Sequence, residues 1–178
     1  MIDVHATPIR VMIVDDHPIV RSSLRSLLSN HGDLILCGEA DSATAAIETV
    51  RELRPDVLLL DIRMPGVSGL DALRELGHNA PATKNLMLSS WEKDEYLTRS
   101  PQAGAHGYIV KRASDETMVT SVRAAHRGER VLSPVMVERL VCQVATTSRE
   151  RNQHALGPSN DDVRMLQLIA NGAGKAGR

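Results

Sequence analysis

Asp15, Asp16, Asp61, Ser89 and Lys111 are the residue types that phosphoryl chemistry uses, and each follows a short apolar run. Arg10 to Val14 leads into Asp15-Asp16, Val57 to Leu60 into Asp61, Asn85 to Leu88 into Ser89-Ser90, and Gly107 to Val110 into Lys111. Carboxylates gathered in one crevice repel one another, which costs stability unless a cation sits among them. Oxygen donors with few protein ligands suit Mg²⁺, which keeps several waters and is commonly shared with a phosphate. In such a site Lys111 would neutralise phosphate charge and the Ser89 hydroxyl would donate to a phosphoryl oxygen. The Asp61 carboxylate would then attack as a nucleophile and form an aspartyl phosphate. Taken singly, each acid has a plainer role, helix capping for Asp15 and Asp16 and a strand-end turn for Asp61. The chemistry needs all of them at one edge.

The apolar runs supply that edge. Runs of this length without polar alternation read as strands buried on both faces, the habit of parallel sheets. In open α/β sheets, ligands bind in the crevice outside the carboxyl ends of the strands. A further strand is expected over Leu34 to Cys37. Helical patterns separate the strands. Pro18 suits a first helical position, and Val20, Leu24, Leu27 and Leu28 repeat at helical spacing before Asn30 and Gly32 stop the run. Ala43, Ala46, Ile47, Val50 and Leu53 mark a second helix closed by Pro55, and Leu70, Leu73 and Leu76 a third that begins near Gly69. Ser114 is a good N-cap with Asp115 and Glu116 in the first turn, and Met118, Val122 and Ala125 face inward before Gly128. The expected fold class is α/β: a five-stranded parallel sheet, doubly wound, with a C-terminal helical extension.

Composition narrows the remaining classes. The chain of 178 residues is 42% hydrophobic and has no Phe, so its core is aliphatic. A formal charge of −1 provides no global field toward nucleic acid or anionic lipid. No apolar stretch reaches membrane-spanning length, and the N-terminus lacks a secretory pattern. Cys37 and Cys142 have no metal-type spacing and read as two buried thiols in a reducing compartment, hence a cytoplasmic protein.

"VMIVDDHPIVR", "DVLLLDIRMPGVSGLDAL", "LMLSS" and "AGAHGYIVKRAS" resemble the receiver domain of two-component response regulators. "DDH", "GYIVK" and "VLSP" are most similar to the NarL/FixJ (LuxR-type) branch, which carries a helix-turn-helix output. The resemblance runs from about Arg10 to Gly128 and more weakly to about Gly172. It implies a flavodoxin/CheY-like receiver with Asp61 as phosphoacceptor. It also implies Mg²⁺ held by Asp15, Asp16, Asp61 and the main-chain carbonyl of Arg63, and a phosphoryl group contacted by Ser89 and Lys111. Tyr108 takes the position of the aromatic that changes rotamer on phosphorylation, turning in as Ser89 is drawn toward the phosphoryl group. The implied partners are a sensor histidine kinase, a second copy of the chain as an open alternative, and DNA, with no membrane.

The division expected is a receiver over 1–128, a linker helix and linker over 129–155, and the incomplete start of a LuxR-type helix-turn-helix domain over 156–178. Ser133-Pro134 begins the linker helix, whose Val137, Leu140, Val141 and Val144 form a narrow stripe, and Val163, Leu166 and Ile169 mark a last amphipathic helix. Residues 156–178 hold Arg164, Lys175 and Arg178 against Asp161 and Asp162, too little charge to grip phosphates strongly, so DNA binding by this chain is not expected. The run Gly172 to Gly177 matches a dinucleotide fingerprint but lacks the strand and helix that give it meaning.

Three further residues carry weaker expectations. His17 reads as a helix-start residue over the acids rather than a ligand of hard Mg²⁺. Trp91, the lone tryptophan, is a packing residue near the site mouth that reports on phosphorylation by fluorescence. Pro101 shortens the helix expected between the Ser89 and Lys111 strands. Two function classes compete. One is a phosphorylation-dependent regulator of transcription, or a receiver acting only through protein partners. The other is an aspartyl-phosphate phosphatase of the haloacid dehalogenase type, which needs a second Asp two positions beyond the nucleophile, where this chain has Arg63.

Overall fold

The computed structural model describes residues 7–80, 82–90 and 103–132, with Val137, Val163, Arg164 and Gln167. Five parallel strands, β1 (Ile9–Val14), β2 (Leu34–Ala40), β3 (Val57–Asp61), β4 (Lys84–Ser89) and β5 (Gly107–Val110), form one sheet in the order β2-β1-β3-β4-β5. Four described helices accompany them: α1 (Pro18–Ser29), α2 (Ala43–Leu53), α3 (Gly69–Asn79) and α4 (Asp115–His126). Trp91, Pro101, most of the expected linker helix and most of the last helix lie outside the described residues; Val137, Val163, Arg164 and Gln167 are helical.

The unbroken apolar strands have a direct cause, because alternate side chains feed two different cores. Val11, Ile13, Val57, Leu59, Leu86, Leu88 and Ile109 meet α1 and α4 through Leu24, Leu27, Leu28, Met118 and Val122. Met12, Val14, Leu58, Leu60, Met87 and Tyr108 meet α2 and α3 through Ala46, Ile47, Val50, Leu70, Leu73 and Leu76. Each face therefore needs its own apolar residue at every second position, which is what doubly wound sheets require. Among the described residues no helix is long and apolar enough to cross a membrane.

The helix boundaries follow local chemistry. Pro18 opens α1, and the hydroxyls of Ser42, Ser68 and Ser114 accept from the amides of Ala45, Asp71 and Thr117, capping α2, α3 and α4. α2 ends at Leu53, just ahead of Pro55 as expected. Arg54 turns left-handed at φ 47° and closes its N–H on Val50 O at 2.9 Å, one residue before the proline.

β2 runs three residues beyond the stretch expected from its apolar run. Its register against β1 slips between Val11 and Met12, so Cys37 is the extra residue of a bulge and Gly38 pairs with Met12. A side chain at Gly38 would meet Leu53 Cδ1 at 2.4 Å, so the glycine lets α2 lie against the strand. Cys37 is partly exposed rather than buried, because β2 is an edge strand. Beyond α4 the packed body continues past Gly128: Tyr108 N–H donates to Val131 O at 3.0 Å, Val131 N–H donates to His106 O at 3.1 Å, and Val131 bridges Gly107 in parallel.

Candidate functional site

β1 and β3 are neighbours in the sheet, with Val14 opposite Leu60, so the residues that follow each strand emerge side by side. Asp15 is fully buried and Asp61 is 2% exposed. One ligand atom from each of Asp15, Asp16, His17 and Asp61 lies within 4.8 Å of the others. β5 stands two strands from β3, yet its end reaches back across the sheet edge. Lys111 Nζ lies 2.6 Å from Asp15 Oδ2 and 2.8 Å from Asp61 Oδ2. The Lys111 amide donates to Ser89 O at 2.7 Å, which ties the end of β5 to the end of β4.

The loop between β1 and α1 orients the acid pair. His17 N–H donates to Asp15 Oδ1 at 2.9 Å, and the His17 ring Nδ1 stands 3.2 Å from that atom and 2.7 Å from Asp16 Oδ1. The ring is otherwise largely in solvent. Arg63 N–H donates to Asp61 Oδ1 at 3.3 Å. Gly69 brings the start of α3 against the end of β3: a Cβ there would lie 2.0 Å from Asp61 O.

Burial raises the Asp61 pKa above the ordinary carboxylate value, and the Asp15 charge adds to it. Hydrogen bonding and charge from Lys111, with the Arg63 amide, oppose the rise without cancelling it. Burial alone would lower the Lys111 pKa, but hydrogen bonds to Asp15 and Asp61 and their charges raise it above its usual value. Lys111 is therefore a held cation at neutral pH.

Asp15 Oδ2 and Asp16 Oδ1 are buried, the first 2.6 Å from the Lys111 ammonium and the second 2.7 Å from the His17 imidazole. One ammonium is shared between the buried carboxylates of Asp15 and Asp61, so negative charge is left uncompensated, which is costly. A hard cation among them removes the cost, so the donor set fits a metal ion with oxygen preference.

Asp15, Asp16, Asp61 and Lys111 thus come together as expected. Ser89 is buried at the end of β4, opposite Val110 on β5 and one position beyond the Asp61–Leu88 pair. Tyr108 differs from expectation. It is already turned in, 2% exposed, in the α2–α3 core that Leu132 also packs against. The Arg63 contact described is its amide, not its carbonyl. Sequence reading missed Arg21, whose Nη1 donates to Asp15 O at 2.6 Å, and the reason for Gly69. A basic residue six positions after Asp15 was the available signal for Arg21, and it reads equally as solvated helix face.

The model of the response regulator receiver domain matches residues 11–123. The response regulator GacA of Pseudomonas aeruginosa is 36% identical over 166 residues, covering 92% of this chain and 76% of that protein. The oxygen regulatory protein NreC of Staphylococcus aureus is 33% identical over 170 residues, covering 93% and 78%. A LuxR-family two-component response regulator from Aurantimonas sp. SI85-9A1 superposes with a TM-score of 0.70 at 30% identity, over 74% of this chain and 94% of that one. The chain belongs to the response regulator receiver family of two-component systems.

Proposed function

We propose that Asp61 accepts a phosphoryl group from a phosphohistidine of a partner sensor kinase and that the resulting aspartyl phosphate switches a regulator of transcription. The observation that carries this is the single Lys111 ammonium, 2.8 Å from Asp61 Oδ2 and 2.6 Å from Asp15 Oδ2. A nucleophilic carboxylate, a fixed cation and a second acid within one small volume are the parts phosphoryl transfer requires.

In the transfer, an Asp61 oxygen attacks phosphorus and the bond from phosphorus to the kinase imidazole breaks. The imidazole nitrogen keeps the electron pair and is neutralised by a proton. Lys111, held charged by its partners, takes up the negative charge developing on the phosphoryl oxygens, and the Ser89 hydroxyl donates to one of them. Asp15, Asp16, Asp61 and the Arg63 carbonyl would hold Mg²⁺, which when bound supplies a Lewis acid that neutralises phosphoryl charge. Water attack on the acyl phosphate releases inorganic phosphate and restores the carboxylate. Arg63, two positions past Asp61, occupies the place where a phosphatase of this chemistry needs its acid, so turnover of phosphate esters is not expected.

Charge gained at Asp61 draws Ser89, and the buried Tyr108 ring is the neighbour on β5 whose packing then changes. The output is dimerisation or contact with partner proteins in the cytoplasm. Residues 133–136, 138–162, 165–166 and 168–178 are outside the described residues. Incubation with acetyl phosphate and Mg²⁺ tests the reading through the intact mass. One phosphoryl group per chain is expected on the wild type and none on Asp61→Asn. Equal labelling of both, or repeated turnover of a small phosphate ester, contradicts it.

A further inference from the structure

Arg21 lies on α1, outside the acid pocket, and is 19% exposed at its side chain. Its guanidinium Nη1 donates to Asp15 O at 2.6 Å and so ties the side chain to the start of the Asp15–His17 turn, whose other end is held by the ordinary first-turn bond of α1 from the Arg21 amide to His17 O at 3.2 Å. That turn sets where the Asp15 carboxylate points, because Asp15 Oδ1 is fixed by the His17 amide at 2.9 Å. Arg21 is itself braced. Its Nε stands 3.9 Å from Glu39 Oε2, and Glu39 is held bidentately by Arg25, Nε to Oε1 and Nη2 to Oε2, both at 2.7 Å. Glu39 lies near the end of β2, so the brace joins α1 to the edge strand and ends on the main chain of the first acid.

The planar guanidinium directs Nη1 at Asp15 O while its Nε edge faces Glu39 at ion-pair distance, a fixed division that a lysine ammonium does not reproduce. Hydrogen bonds outside the ligands themselves commonly set how well a metal site is organised, and their loss costs about 10- to 100-fold in affinity. We infer that Arg21, braced by Glu39 and Arg25, is a positioning residue that holds the Asp15–Asp16 turn in the geometry that binds the divalent cation. This rests on the phosphoacceptor reading given above. It assigns Arg21 no contact with the phosphoryl group.

The test uses the full chain with Arg21→Met, which keeps the apolar stem and removes the donors, Arg21→Lys, and Arg123→Met as a control that breaks the distant Arg123–Asp33 pair. Mg²⁺ binding is read from the rise in melting temperature as Mg²⁺ is titrated. Acetyl-phosphate labelling is followed in parallel at low and saturating Mg²⁺. Arg21→Met is expected to weaken Mg²⁺ about tenfold, with Arg21→Lys intermediate and Arg123→Met unchanged. Labelling of Arg21→Met is expected to recover toward the wild-type rate at saturating Mg²⁺.

A Mg²⁺ midpoint for Arg21→Met within about twofold of wild type, or labelling depressed equally at every Mg²⁺ concentration, overturns the inference while leaving the phosphoacceptor reading intact. A wild type that shows no Mg²⁺ response overturns both. If Arg21→Met does not fold, Glu39→Gln carries the test. It leaves Arg21 in place but unbraced and is expected to raise the Mg²⁺ midpoint about threefold, and an unchanged midpoint there is equally fatal.

Discussion

His106 Nδ1 accepts a hydrogen bond from the Asn85 amide at 3.2 Å, while the His106 amide donates to Asn85 O at 2.8 Å. The ring can accept only when neutral. Burial, with the nearby charges of Arg130 and Lys84, pushes its pKa down from 6.5 to about 4. A depressed pKa means the unfolded chain takes up the proton first as pH falls. The stability tied to the neutral ring is therefore fully present above about 6.5 and is lost as pH drops toward about 4. Urea unfolding should show a falling free energy across that window, with a slope of up to about one proton. His106→Gln should flatten the dependence between pH 6.5 and 5.

Asp61 has the opposite sign. Its pKa is raised by burial, so the folded chain binds the proton more tightly, and stability declines as pH climbs from 3.8 through the raised value. At neutral pH the ionised carboxylate is a cost that the metal-free protein carries. Asp61→Asn should then melt about 2–4 °C higher than wild type in chelator, an effect of about 1 kcal/mol, and should lose most of the rise that Mg²⁺ produces in wild type. A lower melting temperature in chelator would contradict this reading. The acids, Ser89 and Lys111 were legible in the sequence because each ends an apolar run. Arg21 was not, since its hydrogen bond depends on the direction in which α1 leaves the sheet.

Among the elements, the start of α3 is held to the end of β3 by a glycine contact with no room to spare. Gly69→Ala puts a methyl against main chain that cannot yield, with Asp61 O at 2.0 Å and Asp61 C at 2.9 Å. A loss of about 3 kcal/mol or more in urea unfolding is expected, together with weaker Mg²⁺ stabilisation, because Asp61 itself must shift. An Ala variant with wild-type stability would contradict the contact.

β1, β3, β4 and β5 were readable from unbroken apolar runs, and the Ser114 cap from residue type; the Ser42 and Ser68 caps emerge only in the structure. β2 was read too short. Its continuation Gly38-Glu39-Ala40 carries no apolar run, and the ladder there depends on a bulge at Cys37 that only pairing with β1 reveals. The bond from Tyr108 to Val131 was likewise invisible, as it joins residues distant in sequence across the β5 edge.

For the molecule as a whole, two aliphatic cores on opposite faces of one sheet fix the ends of β1, β3 and β5 relative to one another. The fold class was legible because parallel, doubly covered strands leave an unmistakable pattern in the sequence. The switch was less so: Tyr108 is already buried in this structure, and the burial of its ring follows from packing in the α2–α3 core rather than from residue type.

The central claim is that this arrangement makes the carboxylate of Asp61 the site of an acyl phosphate. Borohydride reduces an acyl phosphate of aspartate to homoserine, so tritiated borohydride applied after acetyl phosphate and Mg²⁺ marks the modified residue permanently. Peptide mapping should find the label as homoserine at position 61 alone, dependent on Mg²⁺ and absent without the phosphodonor. Label at Asp15, Asp16 or any other acid, with position 61 unmodified, would contradict the account.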